Sequence, residues 1–576
     1  MENKRLTGYP SIDKPWNKYY RQNPIRKIQP MQTAYNLVFK NNKSNMTDVA
    51  IEYLGIQWTF EELKTFVDIA ADSFSKMGIK KNDVVLIGVS NSPEAVVVFL
   101  ALNKLGAISK WFDVRAGQKD IEHYANSSNC ICAVIFDMLL PKIEPILNNT
   151  KLKNVIILTS TASLPKMKQK LFTLKQKATK TYNPIPKDSR YITYCDFLKN
   201  GDVNSKIVSV DFDIMKPSIM VQSSGTTGKP KTIVHSDYSI SSITHKISYS
   251  DLPFGRGKRV LVALPPWIAY GIGNAIILPL ALGSTAVLSP TFASKTLADY
   301  AGKYTLAFAA PHNYRYLMNN RLSKKQLNGL RCVECMISGG DKMTIEENRD
   351  FENRFNTVLV NGYGNNECFG ALTVNPAEHN KYGTVGIPKY GDIVIAFDED
   401  TNKELPYGEV GEICALTETA FIEYENNETE TKRVKQLHNN NQEWIHSGDL
   451  GFIDEEGFVH LIGRKTRVII RLGFKIAAYT IEDKICEIDL VKECVAVPVI
   501  DTIDEHVPMV FITLNENITE DIESVKNIII EESKKRLKEN EFPKYFKIVD
   551  SLPYTANGKY DFKLLEKIGN EEIKQH

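Results

Sequence analysis

The chain has 576 residues, and Lys+Arg 71 against Asp+Glu 69 leaves a formal charge of +2, with 43% hydrophobic and 24% charged residues. That is an ordinary globular composition, large enough for about four units of ~150 residues, and it excludes disordered, collagenous and disulfide-scaffold classes. Charge this balanced gives no reason to expect a polyanionic partner such as nucleic acid.

The amino terminus, Met1 to Leu6, lacks the apolar core of a secretory signal. Nine cysteines are sparse and odd in number, so a disulfide framework is not expected and a reduced, cytoplasmic setting is. From Thr59, the order Thr-Phe-Glu-Glu has capping-box form, and Leu63, Phe66, Val67, Ala70, Phe74 and Met77 follow at helical spacing up to Gly78. Val84–Val89 reads as a buried strand, Ser90–Glu94 as the start of a helix, and Ala133–Phe136 and Val155–Leu158 as further strands. This alternation predicts a mostly parallel sheet with helices outside.

Residues 151–187 carry nine lysines and no acid, the mark of a solvated helix or loop, or of a surface that meets an anionic partner or carrier protein. Val260 to Ser294 holds no charge and is long enough to span a bilayer, yet Pro265-Pro266, Gly271, Gly273, Pro279, Gly283 and Pro290 interrupt it. A strand, a loop, a buried helix of about a dozen residues and a second strand are expected instead. Cys332 and Cys335 have CxxC spacing without a second pair and are expected to be buried strand cysteines rather than a zinc or redox site. Residues 399–442 are polar and turn-rich, predicting short strands and loops. After Arg464, strands at 493–500 and 507–514 and a helix using Ile522, Val525 and Ile529 predict a small α+β unit.

The chemically informative segment is Ser223-Ser224-Gly225-Thr226-Thr227-Gly228-Lys229-Pro230-Lys231. Glycines let backbone N–H groups converge on an anion, hydroxyls donate to phosphate oxygens, and Lys231 adds charge. It is not a Walker A loop, because counting from Gly225 puts Pro230 where the second glycine belongs. In this order the run resembles the phosphate loop of the adenylate-forming (AMP-binding) superfamily, which includes AMP-forming acyl- and aryl-CoA synthetases. Further matches follow in the family's order: Ser338-Gly339-Gly340-Asp341, Asn361-Gly362-Tyr363-Gly364-Asn365-Asn366-Glu367, Trp444 to Asp449, Gly463-Arg464, and Leu552 to Lys559. The resemblance spans roughly residues 30 to 570.

It implies an α/β fold: a large N-terminal domain (1–464) of two packed β/α lobes plus a β-rich lobe, and a small α+β C-terminal domain (465–576) that rotates. It implies a ligase that uses ATP, Mg²⁺ and CoA, or a carrier-protein phosphopantetheine, to activate a carboxylic acid as acyl-AMP and pass it to a thiol. Lys559 would bridge the substrate carboxylate and α-phosphate, and Glu367 with Thr226 would hold Mg²⁺. Asp449 and Arg464 would take the ribose, and Gly339, Gly340, Asp341 and Tyr363 the adenine. Arg471, Gly473 and Lys475 would face CoA.

Four departures stand out. Thr232 occupies a usual glycine, Asn366 a usual threonine that bonds the α-phosphate, Thr466 the hinge, and Ile268 a position that often carries histidine. With Trp267, Ile268, Tyr270, Gly271 and Ile272 about the acyl group and no acid among them, an apolar or aromatic acid is expected over an amino acid, whose ammonium would need a partner. A stand-alone adenylation enzyme loading a carrier protein and a non-catalytic nucleotide-binding relative remain as alternatives.

Overall fold

The structure is a computed structural model and describes residues 6–573 apart from 180, 224–230, 342, 439–440, 472–473, 502–504, 516–520 and 555–559. Two mostly parallel sheets form the large domain. In the first, the parallel strands run in the order Val49–Tyr53, Thr285–Leu288, Arg259–Val262, Leu306–Ala309, Cys335–Ser338 and Val358–Tyr363, with antiparallel strands at both edges. In the second the parallel order is Pro217–Gln222, Ile108–Trp111, Val84–Gly88, Cys132–Phe136, Asn154–Leu158 and Tyr191–Thr193. Antiparallel Thr232–Ser236 and Glu423–Tyr424 complete its other edge.

Residue alternation along the strands decides the layering. Val260 and Val262 face one core together with Val85 and Ile87 of the other sheet, while Leu261 and Leu86 point to separate outer cores. The shared core is filled by helices Phe60–Lys76, Pro93–Leu105 and Asp237–Ile247. The first of these carries the expected capping box at Thr59 and Glu62. The charge-free stretch is interior: Arg259–Val262, a helical run from Tyr270 to Ala281, then Thr285–Leu288. No helix among the described residues is long and apolar enough to cross a membrane.

A third, antiparallel sheet comprises Ile393–Phe397, Gly411–Leu416, Lys435–Leu437, Glu443–Ile453 and Val459–Arg464. The polar 399–442 stretch also contains a helix, Glu428–Val434, where only strands and loops were expected. Its seven residues bury only Val434, too little apolar periodicity to signal a helix. In the small domain, Val491–Asp501, Glu505–Leu514 and Tyr545–Ile548 form a sheet with an apolar cluster on each face. Helices Ala478–Cys486 and Ile522–Arg536 cover one face and Phe562–Ile573 the other. Val525 and Ile529 are buried as expected, but Ile522 is exposed at the first turn. Cys335 is buried in its strand, whereas Cys332 is exposed in the turn before it, which corrects the expectation of two buried cysteines.

Candidate active site

Parallel strands aim their carboxyl ends at one edge, where the connecting loops leave a crevice. A cavity of about 600 Å³ lies there, lined by residues that follow the strands Arg259–Val262, Leu306–Ala309, Cys335–Ser338 and Val358–Tyr363. Ser223, at the end of Pro217–Gln222, also lines it.

One part of the wall is polar. Gly339, Gly340, Asp341, Gly362, Tyr363, Gly364, Asn366, Glu367 and Arg464 all line it. Gly340 has φ +93° with nothing within 4 Å of a Cβ built there, leaving an open cradle. Asp449 lies just behind, accepting from the Tyr363 hydroxyl at 2.7 Å and pairing with Arg464 Nε at 3.0 Å. Burial and the Asp449 charge raise the Tyr363 pKa, keeping the phenol a donor. Gly448, at φ +72°, donates its N–H to Glu412 Oε1. Burial would raise the Glu412 carboxyl, but His446, Lys465 and that N–H hold it at about 2.

Among the described residues, Glu412, Cys414 and His446 form a group close enough to hold a metal, yet Lys465 Nζ already sits 3.3 Å from Glu412 Oε2. We read the group as the support of the turn that carries Asp449. Glu367 is different: it lines the cavity and has the Tyr424 hydroxyl 2.6 Å from Oε1. A half-buried carboxylate that opens on the cavity beside a polar cradle suits a hard cation such as Mg²⁺.

Another part of the wall is apolar: Ile247, Leu252, Phe254, Leu264, Ile268, Leu278, Phe308, Ile337 and Val374. Tyr270–Ile277 is a π-helix, so Tyr270 and Asn274, then Leu278 just beyond it, reach the cavity at four-residue spacing. Asn274 Nδ2 donates to the carbonyl of Phe369, and the buried Tyr270 hydroxyl has no partner among the described atoms.

The acyl-side residues thus divide. Ile268 and Tyr270 line the cavity. Trp267 is packed against Phe292 behind the wall, Ile272 is fully buried in the shared core, and a Cβ on Gly271 would stand 1.8 Å from the Pro265 carbonyl oxygen. These three are packing positions, and none of them lines the cavity. Asn361 lies within its strand, its carbonyl accepting from Asn375 N, and is not in the wall.

Asn366 ties two segments together. Its Nδ2 donates to the Gln222 carbonyl at 3.1 Å and its Oδ1 accepts from Ala269 N at 3.1 Å. Both ends of the amide are therefore engaged by backbone, while the residue also lines the cavity. Lys231 lines the cavity, paired with Glu430 and lying 5.1 Å above the Tyr424 ring. Arg471 donates to the carbonyls of Asn540 and Phe542 within the small domain.

Ser224, Gly225, Thr226, Thr227, Gly228, Gly473 and Lys559 lie outside the described residues, as does the side chain of Lys475. The flanks of Lys559 are described: the Tyr554 and Tyr560 hydroxyls both donate to Glu493 Oε1, at 2.9 and 2.8 Å. Tyr560 lies in the neighbourhood of Arg315, a cavity residue paired with Glu347. Arg315, Tyr424, Arg433 and Glu412 went unnoticed in the sequence because no local pattern surrounds them. Tyr424, for one, reaches the site through an edge-strand pairing with Ile233.

The family model for AMP-binding enzymes matches residues 38–424, and that for the AMP-binding enzyme C-terminal domain matches 480–559. Among curated relatives, a long-chain-fatty-acid–CoA ligase of Bacillus subtilis (strain 168) is 24% identical over 98% of this chain and 99% of its own length. A benzoate–CoA ligase of Thauera aromatica is 25% identical over 88% and 90%. The crystal structure of ATP-bound MatB from Rhodopseudomonas palustris superposes with TM-score 0.80 at 21% identity, covering 93% of this chain and 99% of that one. The anthranilate CoA ligase AuaEII in complex with anthranoyl-AMP gives 0.79 at 19% identity, covering 95% and 99%. With well over half of its length matched and both domains present in order, the chain belongs to the AMP-binding enzyme family.

Proposed function

We propose that this protein activates a carboxylic acid with ATP and transfers the acyl group to the thiol of CoA. The observation that carries this reading is a single cavity with a glycine cradle, Tyr363, Glu367 and Arg464 in one part of its wall and apolar side chains in another. A carboxylate oxygen attacks the α-phosphorus of ATP, a P–O bond forms, and the bond to pyrophosphate breaks. The thiol sulfur then attacks the acyl carbon, C–S forms, the bond to AMP breaks, and the thiol proton passes to solvent.

Anion meets anion in the first step, so positioned positive charge must supply most of the rate. Lys559 takes that role, with Lys231 and the 224–228 loop on the phosphates and Asp449 accepting from the ribose in exchange for part of its contact with Arg464. Glu367 and Thr226 would hold Mg²⁺, which would supply charge neutralisation. For the second step the domain from residue 465 pivots, carrying Lys559 away and bringing Gly473 and Lys475 toward the thiol.

The acid is apolar or aromatic. Among the described lining residues the only carboxylates are Asp341 and Glu367, both on the nucleotide side, so an α-ammonium would find no partner among Ile247, Leu252 and Phe254. The test is a thioester assay over aliphatic, aromatic and amino acids, with free CoA or a holo-carrier protein as acceptor. We expect acyl-CoA from an apolar acid. Thioester formed only on the carrier overturns the choice of acceptor, and preference for an amino acid overturns the substrate class.

A further inference from the structure

The lysine-rich stretch noted in the sequence contains a helix, Lys166–Ala178, that buries none of its thirteen residues. Its orientation is inverted. The side chains turned to the protein are largely polar: Gln169 donates to the carbonyls of Ala162 and Leu164, Gln176 donates to Asp137, and Thr173 and Phe172 are half-buried between them. The apolar residues face solvent. Met167, Leu171 and Leu174 are 82%, 69% and 63% exposed, and their i, i+4, i+7 spacing puts them in one stripe.

The lysines complete the pattern. At about 100° per residue, Lys168 and Lys175 fall on one side of the stripe and Lys166, Lys170 and Lys177 on the other, each roughly 60–100° from its centre. None of the five forms an ion pair with a carboxylate among the described residues; Lys177 instead lies 5.0 Å above the Tyr182 ring. Met138, Tyr182 and Ile185 are also exposed in this part of the chain. An apolar stripe edged by long cationic stems is the arrangement that lies flat in a bilayer interface, the stems reaching up to anionic headgroups.

We propose that the Lys166–Ala178 helix docks this protein onto the surface of an anionic phospholipid bilayer, lying on the membrane without crossing it. An acidic carrier protein would share the charge complementarity. However, no residue from 138 to 192 lines the cavity, so a carrier bound here gains no evident delivery of its thiol. Three bare apolar side chains at the centre of the surface are better matched by acyl chains. The inference stands independently of the catalytic reading.

The test is co-sedimentation of the full chain with vesicles of phosphatidylcholine alone or containing one quarter phosphatidylglycerol, at low and high salt. Wild type is expected to partition about tenfold more onto the anionic vesicles and to be released by salt. Met167→Gln/Leu171→Gln/Leu174→Gln and Lys168→Glu/Lys170→Glu/Lys175→Glu should each lose about tenfold in partitioning. Both should retain wild-type circular dichroism and wild-type ATP binding in solution. Equal partitioning of wild type onto both vesicles, or full binding by the apolar variant, overturns the proposal. So does salt-sensitive binding to purified acidic holo-carrier protein without vesicle binding.

Discussion

At residue scale, His235 supports the site from beneath. It is fully buried, its Nε2 lies 2.7 Å from the Asn366 carbonyl oxygen and its Nδ1 3.2 Å from Ser239 Oγ. Burial, with Lys435 adding to it against the Asn366 carbonyl, depresses its pKa from 6.5 to about 3. The folded state therefore keeps His235 neutral at pH values where the unfolded chain protonates it. Stability from this group is intact above 6.5 and declines as pH falls from 6.5 toward 3, by about 2 kcal/mol between pH 7 and 5. Asp237, raised by burial to about 6, works in the opposite direction, so the comparison must be made by difference. Urea unfolding at the two pH values should give a loss about 2 kcal/mol larger for wild type than for His235→Gln. Parallel pH profiles would contradict it.

At the scale of elements, the loop following strand Val358–Tyr363 closes on itself so tightly that a Cβ on Gly364 would stand 1.6 Å from the Gly370 carbonyl oxygen. Gly364→Ala must push apart the segments holding Tyr363 and Glu367. We expect a loss of about 3 kcal/mol in thermal unfolding together with loss of acid activation; unchanged melting would refute this close packing. The glycine was legible as part of a motif, but the reason for it was not, since that depends on where residue 370 folds back. Strands such as Val84–Gly88 and the capping box at Thr59 were legible because their signals are local. The π-helix was hidden in a largely apolar run, where helical periods cannot be told apart, and so the wall residues Asn274 and Leu278 were missed, while Trp267 and Gly271 pack beside the wall rather than in it. Asn366 departs from the expected threonine because its amide bonds two backbone segments from opposite lobes, Gln222 and Ala269, a demand set by tertiary structure alone.

At the scale of the whole molecule, a chain of net charge +2 concentrates cationic groups at one crevice: Arg115, Lys231, Arg315, Arg433 and Arg464 all line it. The two-lobed architecture supplies the crevice, and Tyr554 and Tyr560, which flank the segment containing Lys559, pair with each other in the small domain. Overall composition could not reveal that local concentration, whereas the ordered motifs did, because those at Ser223, Ser338–Asp341 and Asn361–Glu367 come at the ends of strands Pro217–Gln222, Cys335–Ser338 and Val358–Tyr363, which the fold aims at the same edge. The central claim is that this crevice joins a carboxylic acid to AMP. The direct measurement is ATP–pyrophosphate exchange over a panel of carboxylic acids. The account predicts exchange that depends on an apolar or aromatic acid and disappears in Lys559→Ala, which still binds ATP; no exchange with any acid, in wild-type protein that binds ATP, would contradict it.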